Sequence, residues 1–583
     1  MKKVSELNQI FTSWFSAGRK NTTKSLRYRL GGELGFRLDK IIHRLSGELP
    51  YSREYILGQI TGEAGVWSNF PRFHGDICGR WILAMSFACS GEKTPPAFLS
   101  ELVEEVLRIQ NEDGSFGKIQ FSEEPLNKHK AYGNGWMLRG LVEYAATFRD
   151  PAAQVAAVKL GDFYEKTFSL WAEGETKEGG DSNYAVSRSC YFHALDGLVA
   201  LYRLTQEARY LDLAEKFIPL CTPLENADHA HMYLTVRRGM IELFAEKDYS
   251  AALATLEREL DEVYRHHTIE TGGIPERFHK GLSGLRCGCD AHFADEACGN
   301  FDWLLICLRL RELGFGAQWA DRAAFVMETH LWFNQSYNGG FGDLPMGAYY
   351  TILHKEAPWC CSLFGPFGLT RAGALWVRQS GDTILVDHPV TGDFDFGTAA
   401  ISLKRDTARS VYIIRGSRGK TRLLLRAPFW MEYSGQEIKD GAIEITVNEN
   451  ETVEVPFRFL LWLSRHGEEP CPISREKAGG KGVLFYGPWL LAHRFNDPIP
   501  RVSLETDALG FVKNFKAEPL LGCNFYGETT RITLPANTEI SPNDVARGVD
   551  EQSGEIRLYP LKDREPVWRA ITQIQLADGG IQA

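Results

Sequence analysis

Along the first two thirds of the chain, apolar residues recur at helical spacing. Between Phe98 and Gln110 they fall at Phe98, Leu99, Leu102, Val103, Val106 and Leu107, the pattern of a helix with one buried face. The same period predicts helices over 134–148, 154–171, 190–205, 208–218, 231–246, 249–266, 300–314 and 318–334. Polar, glycine-containing loops punctuate them, among them Asn111-Glu112-Asp113-Gly114, Glu178-Gly179-Gly180-Asp181 and Asn338-Gly339-Gly340. Near residue 380 the period changes. Thr383–Val386, Ser410–Ile414 and Thr421–Arg426 are short β-branched and apolar runs, and Ala442–Val447 alternates as a half-buried strand does. Strand-like runs continue to Leu576. The predicted fold is a helical domain over 1–380, with room for the paired helices of an (α/α)6 toroid. A β-sandwich over 381–583 follows it.

Composition narrows the function classes. With 44% hydrophobic and 24% charged residues, the 583-residue chain has enough apolar surface to fold. A net charge of −10 argues against a nucleic-acid partner, which calls for a basic face. The start of the chain lacks a signal-peptide apolar run, and no stretch approaches the roughly 20 apolar residues of a membrane span. Twelve cysteines without a secretion signal predict reduced thiols or metal ligands in a cytoplasmic protein. The 14 tryptophans serve packing or form stacking platforms for sugar rings. In the β-domain, Trp430, Trp462 and Trp489 could bind polysaccharide, but buttressing the helical domain or forming a homodimer contact is the preferred reading.

Two cysteine groups carry the sharpest chemistry. Glu296-Ala297-Cys298 precedes the helix predicted from Asn300, and Cys360-Cys361 precedes another apolar helical stretch. Side chains one or two positions apart do not share a helix face, so neither group chelates from mid-helix. At a loop-to-helix junction the backbone can bend, and a helix start favours anionic groups. Three thiolates and a carboxylate suit a tetrahedral zinc site, catalytic or purely structural. Spacing alone fits small buried packing residues as well. Cys287-Gly288-Cys289 reads as a tight loop, with a metal clip or redox pair as alternatives. His229 and His231 cannot face one site from a regular helix. His266-His267 reads as the end of a helix, where imidazoles suit the C-terminal dipole.

Several ordered segments together resemble glycoside hydrolase family 127, the β-L-arabinofuranosidases. Thr271-Gly272-Gly273-Ile274 with Glu276-Arg277-Phe278 resembles the family's TGG-I…GE-x-F segment. Glu296-Ala297-Cys298 resembles its E-T-C segment, and Cys360-Cys361 its C-C-P-P-N segment. Leu201–Thr205 with Tyr210–Ala214 is similar to its helix pair, and His229 stands ten residues before Gly239-Met240 as its active-site His does. Arg426–Trp430 and Tyr486-Gly487-Pro488 are similar to its β-domain signatures.

The resemblance implies zinc held by Glu296, Cys298, Cys360 and Cys361. It implies Cys360 as nucleophile and Glu276 as general acid/base, in retaining hydrolysis of a small oligosaccharide or glycoside through a thioglycosyl-enzyme. His229, Glu328, Tyr350 and Trp136 would meet the sugar. The departures fall on the glycone pocket. Ser362-Leu363-Phe364 replaces Pro-Pro-Asn, Trp136 stands where the family has a His, and the interval from Glu276 to Glu296 is longer. Asp76 and Asn134 are further candidates for that altered pocket. Two other classes stay open: a sugar lyase or epimerase on a related toroid, and a non-catalytic carbohydrate-binding protein with structural zinc.

Overall fold

The structure is a computed structural model. It describes residues 11–13, 26–47, 49–62, 73–118, 127–173, 187–221, 223–224, 228–278, 293–346, 355–465, 470–473, 481–492, 501–502, 504, 506–507, 509–521, 526, 528–535, 555–562 and 574–576. A helical N-terminal part is followed by a β-rich C-terminal region, as the change of period predicts. The helices are α1 (Gly32–Leu45), α2 (Arg53–Thr61), α3 (Asp76–Ala88), α4 (Ala97–Arg108), α5 (Lys128–Phe148), α6 (Pro151–Glu173), α7 (Ser187–Phe192) and α8 (Ala194–Thr205). Then come α9 (Ala208–Phe217), α10 (Ala230–Glu246), α11 (Ser250–His267), α12 (Ala297–Glu312), α13 (Gln318–Phe325), α14 (Trp332–Asn334) and α15 (Cys360–Trp376). A π-helical turn over Val326–Leu331 joins α13 to α14.

Six of these helices close a ring. α3 packs on α5, α5 on α8, α8 on α10, α10 on α12, α12 on α15, and α15 back on α3. α5, α8, α10 and α12 each also pack against the next helix along the chain. The ring helices are buried on nearly every side: every residue of α3 is buried, as is all but one residue of α15. The outer helices are amphipathic. α4 buries Leu99, Leu102, Val103 and Val106 and exposes Glu101 and Glu104. Local chemistry fixes several helix starts. The Tyr55 N–H donates to Ser52 Oγ (3.2 Å), and the Lys130 N–H donates to Asn127 Oδ1 (2.9 Å).

The strands begin with β1 (Phe11–Ser13) and β2 (Leu26–Leu30). β3 (Phe293–Glu296), β4 (Gly342–Met346) and β5 (Lys355–Glu356) form a small antiparallel sheet within the helical part. β6 (Val377–Ser380), β7 (Thr383–Val386), β8 (Gly392–Asp395), β9 (Ala400–Asp406), β10 (Val411–Arg418), β11 (Thr421–Arg426), β12 (Met431–Tyr433), β13 (Ala442–Val447) and β14 (Thr452–Phe459) follow. They build a seven-stranded sheet ordered β1-β2-β8-β9-β10-β14-β12 and a four-stranded sheet ordered β13-β11-β7-β6. A further sheet gathers the strands from Leu461 to Leu576. β2 is an N-terminal strand in a C-terminal sheet: Tyr28 pairs with Phe394 and Leu30 with Gly392. Its Leu26, Tyr28 and Leu30 are buried while Arg27 and Arg29 are exposed.

Trp430, Trp462 and Trp489 are all buried. Their indole N–H groups donate to Asp321, to the Gly487 carbonyl and to Glu328, at 2.8–3.0 Å. They lock the β-region onto itself and onto the helical part, which is the buttressing role expected of them. Among the described residues no helix is long and apolar enough to cross a membrane.

Candidate active site and metal centre

Two backbone devices assemble the site. The first is the small β3-β4-β5 sheet. β3 runs into α12 with Glu296 as the N-cap, and the chain after β5 turns into α15. In the sheet Glu296 pairs with Asp343, and Asp343 with Lys355. The two helix starts are therefore held side by side. Ser362 reinforces this: its Oγ accepts from the Phe341 N–H (2.8 Å) and donates to the Phe341 carbonyl (2.9 Å). α12 begins three residues earlier than the period alone predicted, because β3 delivers Glu296 directly into the first turn. Cys298, Cys360 and Cys361 thus all lie in first turns, where the unpaired N–H ends favour anionic sulfur.

The second device brings Glu276. His229 is the extended N-cap of α10 and pairs with Arg277 across an antiparallel bridge. The Ala230 N–H donates to the Glu276 carbonyl (2.7 Å), and the Phe278 N–H to that of Asp228 (2.9 Å). The preceding turn needs its glycines. Gly272 has φ +78°, and a Cβ on Gly273 would fall 2.3 Å from His330 Nδ1. Asn300 on α12 clamps this turn, accepting from the Ile274 N–H (2.7 Å) and donating to its carbonyl (3.0 Å). Because His229 lies outside the helix and His231 inside it, both rings reach the same region, with centroids 6.3 Å apart. The backbone irregularity needed for that is the helix start itself.

The side chains form two adjoining groups, Cys298/Cys360/Cys361 and His229/Glu276/Glu296. Cys360 and Cys361 Sγ are 3.8 Å apart, and Cys361 and Cys298 Sγ are 4.0 Å apart. Cys298 Sγ is 3.5 Å from Glu296 Oε2. A tetrahedral zinc with Zn–S of about 2.3 Å and Zn–O of about 2.0 Å has S···S edges of roughly 3.8 Å and S···O edges of roughly 3.5 Å. The two S···S distances and the one S···O distance match those edges, and the three sulfurs lie close enough together to hold one ion. His229 Nε2 lies 2.9 Å from Glu296 Oε2 and 3.9 Å from Glu276 Oε1, so it joins the two carboxylates, and Glu296 adjoins the sulfurs through Cys298.

Electrostatics follow the geometry. Burial works against charge on both His229 and Glu296. Their mutual attraction wins: His229 is raised above the ordinary imidazole range, and Glu296 is drawn down to about 2. Hydrogen bonds from the Cys298 and Cys361 thiols pull Cys360 below the ordinary thiol range, while burial pushes Cys298 up. Behind the sulfurs stands Arg80. It donates to Asp76 Oδ1, Tyr132 Oη and His231 Nε2 (2.6, 2.6 and 3.0 Å) and lies 3.8 Å over the Trp136 ring. Burial, then Arg80, hold His231 well below its ordinary value. The neutral ring accepts from Arg80 at Nε2 and donates from Nδ1 to Asp302 (2.6 Å).

The other sequence candidates are placed as follows. Trp136 is buried, stacked on His231 (5.7 Å) and edge-to-face with Phe364 (5.4 Å). The two departures from the family pattern, Trp136 and Phe364, are therefore one packed wall. Asp76 joins that wall through Arg80. Asn134 does not line a site; its amide staples Phe116, His74 and Lys130 backbone groups. Glu328 is not gathered with the sulfurs. It sits in the π-helical turn, held by His388, Arg405 and Trp489. Tyr350, Cys287, Cys289 and the 178–181 loop lie outside the described residues. His266 and His267 end α11 as expected. Sequence reasoning missed Arg80, Tyr132 and Asp302, and set His231 apart from the site because a regular helix would turn it away from His229. The only sequence signal for them is polar residues inside otherwise apolar helices.

Residues 37–359 match the family described as β-L-arabinofuranosidase, GH127 catalytic domain. No curated protein matches the chain in sequence. Among solved structures, it is similar to a GH127 β-L-arabinofuranosidase from Geobacillus stearothermophilus T6, with TM-score 0.69 and 15% identity over 94% of this chain and 100% of that one. A second GH127 β-arabinofuranosidase has TM-score 0.70 at 15% identity, covering 98% of each chain. A third structure, described as a glycoside hydrolase, has TM-score 0.65 at 15% identity over 99% of each.

Proposed function

Since the chain belongs to the GH127 family and is a glycosidase, we propose that it is a zinc-dependent retaining glycoside hydrolase, exo-acting on a small oligosaccharide or glycoside. The closed ring of six helices supports an (α/α)6 toroid over 1–380, and the seven- and four-stranded sheets a β-sandwich domain over 381–583, with β2 contributed from the N-terminus. None of the nine described cysteines is in a disulfide, in keeping with a reducing, cytoplasmic setting.

The observation that carries the reading is the Cys298/Cys360/Cys361 cluster at tetrahedral S···S lengths, with Glu296 3.5 Å from Cys298 and Glu276 one histidine away. A bound zinc would keep the thiols ionised near neutral pH. Cys360 is the least buried of the three cysteines, so its sulfur is the one that can attack the anomeric carbon. Glu276 protonates the departing oxygen, and as a carboxylate it then takes a proton from the water that releases the sugar from Cys360. His229 holds Glu296 toward the sulfurs and stands beside Glu276 through both steps. The Trp136–Phe364 wall replaces the polar residues of the family pattern, so the glycone subsite is altered while the reaction machinery is kept.

Metal content and hydrolysis of aryl L-arabinofuranosides, other aryl pentosides and deoxyhexosides test this in wild type, Cys360→Ser and Glu276→Gln. The expected result is one zinc per chain and turnover lost in both variants. Reduced wild-type protein without zinc overturns the metal assignment. Full turnover in Cys360→Ser overturns the thiolate mechanism.

A further inference from the structure

The turn between β5 and α15 delivers the Cys360-Cys361 pair, and its anchor is a carboxylate outside the reaction described above. Glu356 ends β5, four residues before Cys360, and its backbone pairs with Gly342 on β4. Its mostly buried side chain accepts hydrogen bonds from several directions. Arg44, in the last turn of α1, donates from Nε and Nη2 to Oε2 (3.0 and 2.7 Å). The buried Tyr51 Oη donates to Oε1 (2.8 Å), and Asn338 Nδ2 donates to Oε2 (2.8 Å). Ser362 Oγ, in the first turn of α15, lies 3.2 Å from Oε1 and shares its proton between that oxygen and the Phe341 carbonyl. A Cβ on Gly340 would fall 2.3 Å from Oε1, so the 336–340 turn closes directly on the carboxylate.

The start of α15 depends on such an anchor. Its N-cap, Trp359, makes no side-chain bond to the first turn. The approach to the helix is held from outside instead. Tyr55 Oη, on α2, donates to the Pro358 carbonyl (2.7 Å), and the Ala357 N–H donates to the Phe341 carbonyl (2.9 Å). Glu356 fixes the chain before the cysteine pair, and Ser362, bonded to the same carboxylate, fixes the chain after it. Ionised acceptors make stronger hydrogen bonds than neutral ones, and a satisfied buried network holds one arrangement. That arrangement leaves Cys360 9% exposed and Cys361 fully buried, with Cys361 Sγ 4.0 Å from Cys298 Sγ.

Building on the reading of these thiols as zinc ligands, we propose that Glu356 is a positioning residue for the cysteine pair: it holds the turn so that Cys361 faces Cys298 and Cys360 stays open to substrate. Glu356→Gln in the full-length protein tests this with two readouts. In a cobalt(II) titration against a competing chelator, followed by the thiolate charge-transfer band, the variant should bind about tenfold or more weakly than wild type, the scale for groups that orient metal ligands. In brief alkylation with iodoacetamide after chelator treatment, mapped by peptide mass spectrometry, wild type should react at Cys360 and hardly at Cys361. The variant should bring Cys361 into reaction at a rate comparable with Cys360. Tyr51→Phe removes one donor to the carboxylate and should move both readouts the same way by less; it decides should Glu356→Gln fail to fold by circular dichroism. Either readout moving in a folded variant supports the proposal. A lowered melting temperature with both readouts unchanged makes Glu356 structural only and overturns it. Wild type that binds no cobalt overturns the zinc reading instead, and the alkylation pattern, which needs no metal, then decides on Glu356.

Discussion

One set of helices presents opposite chemistry at its two ends. In their first turns α12 and α15 hold Cys298, Cys360 and Cys361, with Glu296 as a cap. Later in the same helices come Arg309, Arg311 and Arg371, and α8 ends near Arg203. The helix dipole favours anions at the start and cations at the end, so parallel ring helices sort charge without further instruction. The construction differs as well. The sulfur end is placed by non-helical backbone, the β3-β4-β5 sheet and the His229–Arg277 bridge. The arginine end is held by side-chain ion pairs between helices. Groups that must face a substrate are aimed by strands and turns, and groups that close the ring are crossed between helices.

The largest effect belongs to the sulfur end. Glu276→Gln should lower kcat/KM by roughly 10²–10⁴-fold, since it removes the proposed proton donor while keeping shape. Cys360→Ala should lower it further. Glu276→Gln should melt close to wild type, because Glu276 is held through its backbone carbonyl as well as its side chain. Steady-state kinetics and thermal melts check both. A large drop in melting temperature for Glu276→Gln would mean the sulfur end is structural too, and would erase the contrast.

At the arginine end the expected loss is stability. Glu242→Ala strips Arg203 and Arg309 of a shared carboxylate in a mostly buried place, with Glu242 only 12% exposed. Removing one partner of a buried pair costs about 3–5 kcal/mol, which urea unfolding reads directly. Zinc content in the folded fraction should be unchanged. A loss below about 1 kcal/mol would place these pairs with ordinary surface ion pairs.

A third test sharpens the sulfur end alone. Trp136→His with Phe364→Asn restores the polar residues of the family pattern to the packed wall. The preference for an aryl L-arabinofuranoside over other aryl pentosides should rise about tenfold or more in kcat/KM, the scale of one regained polar contact in a pocket. An unchanged ratio would show that the wall lies outside the glycone subsite.

Much of this was legible in the sequence, for a physical reason. Helices with one wet face print their period: the pattern over 208–218 predicts the helix at Ala208–Phe217, and that over 249–266 the one at Ser250–His267. β11 and β13 match their predicted spans. α3 passed unread because it is buried all round, so no polar face marks its period. β2 alternates clearly, but its partner β8 lies more than 360 residues away, and local pattern carries no pairing information. The gathering of Cys298, Cys360 and Cys361 was legible through the family resemblance, since their spacing alone fits small buried packing residues as well. Glu328 was not, since a carboxylate in a sugar site and one locked by His388, Arg405 and Trp489 look alike in sequence. The arginine end was hidden for the same reason. Single arginines on five helices resemble solvated faces until the ring closes.

The smallest effect concerns the link between the two ends. Arg238 Nε donates to Asp302 Oδ1 (3.0 Å), Asp302 Oδ2 receives His231 Nδ1 (2.6 Å), and His231 Nε2 receives Arg80 (3.0 Å). Burial raises Asp302 to about 6, against the pull of Arg238 and of Thr235, whose hydroxyl donates at 2.8 Å. A carboxyl raised on folding contributes stability that is fully present below its unfolded value, near 3.8, and lost as pH rises through about 6. Thr235→Val keeps the shape and removes one donor to the ionised form. It should cost about 1 kcal/mol at pH 7 and leave stability at pH 4 nearly unchanged, because the protonated carboxyl needs that donor less. Urea unfolding at the two pH values reads the difference. An equal loss at both would mean that Thr235 acts by packing, and that the ionised Asp302 is held by Arg238 and His231 alone.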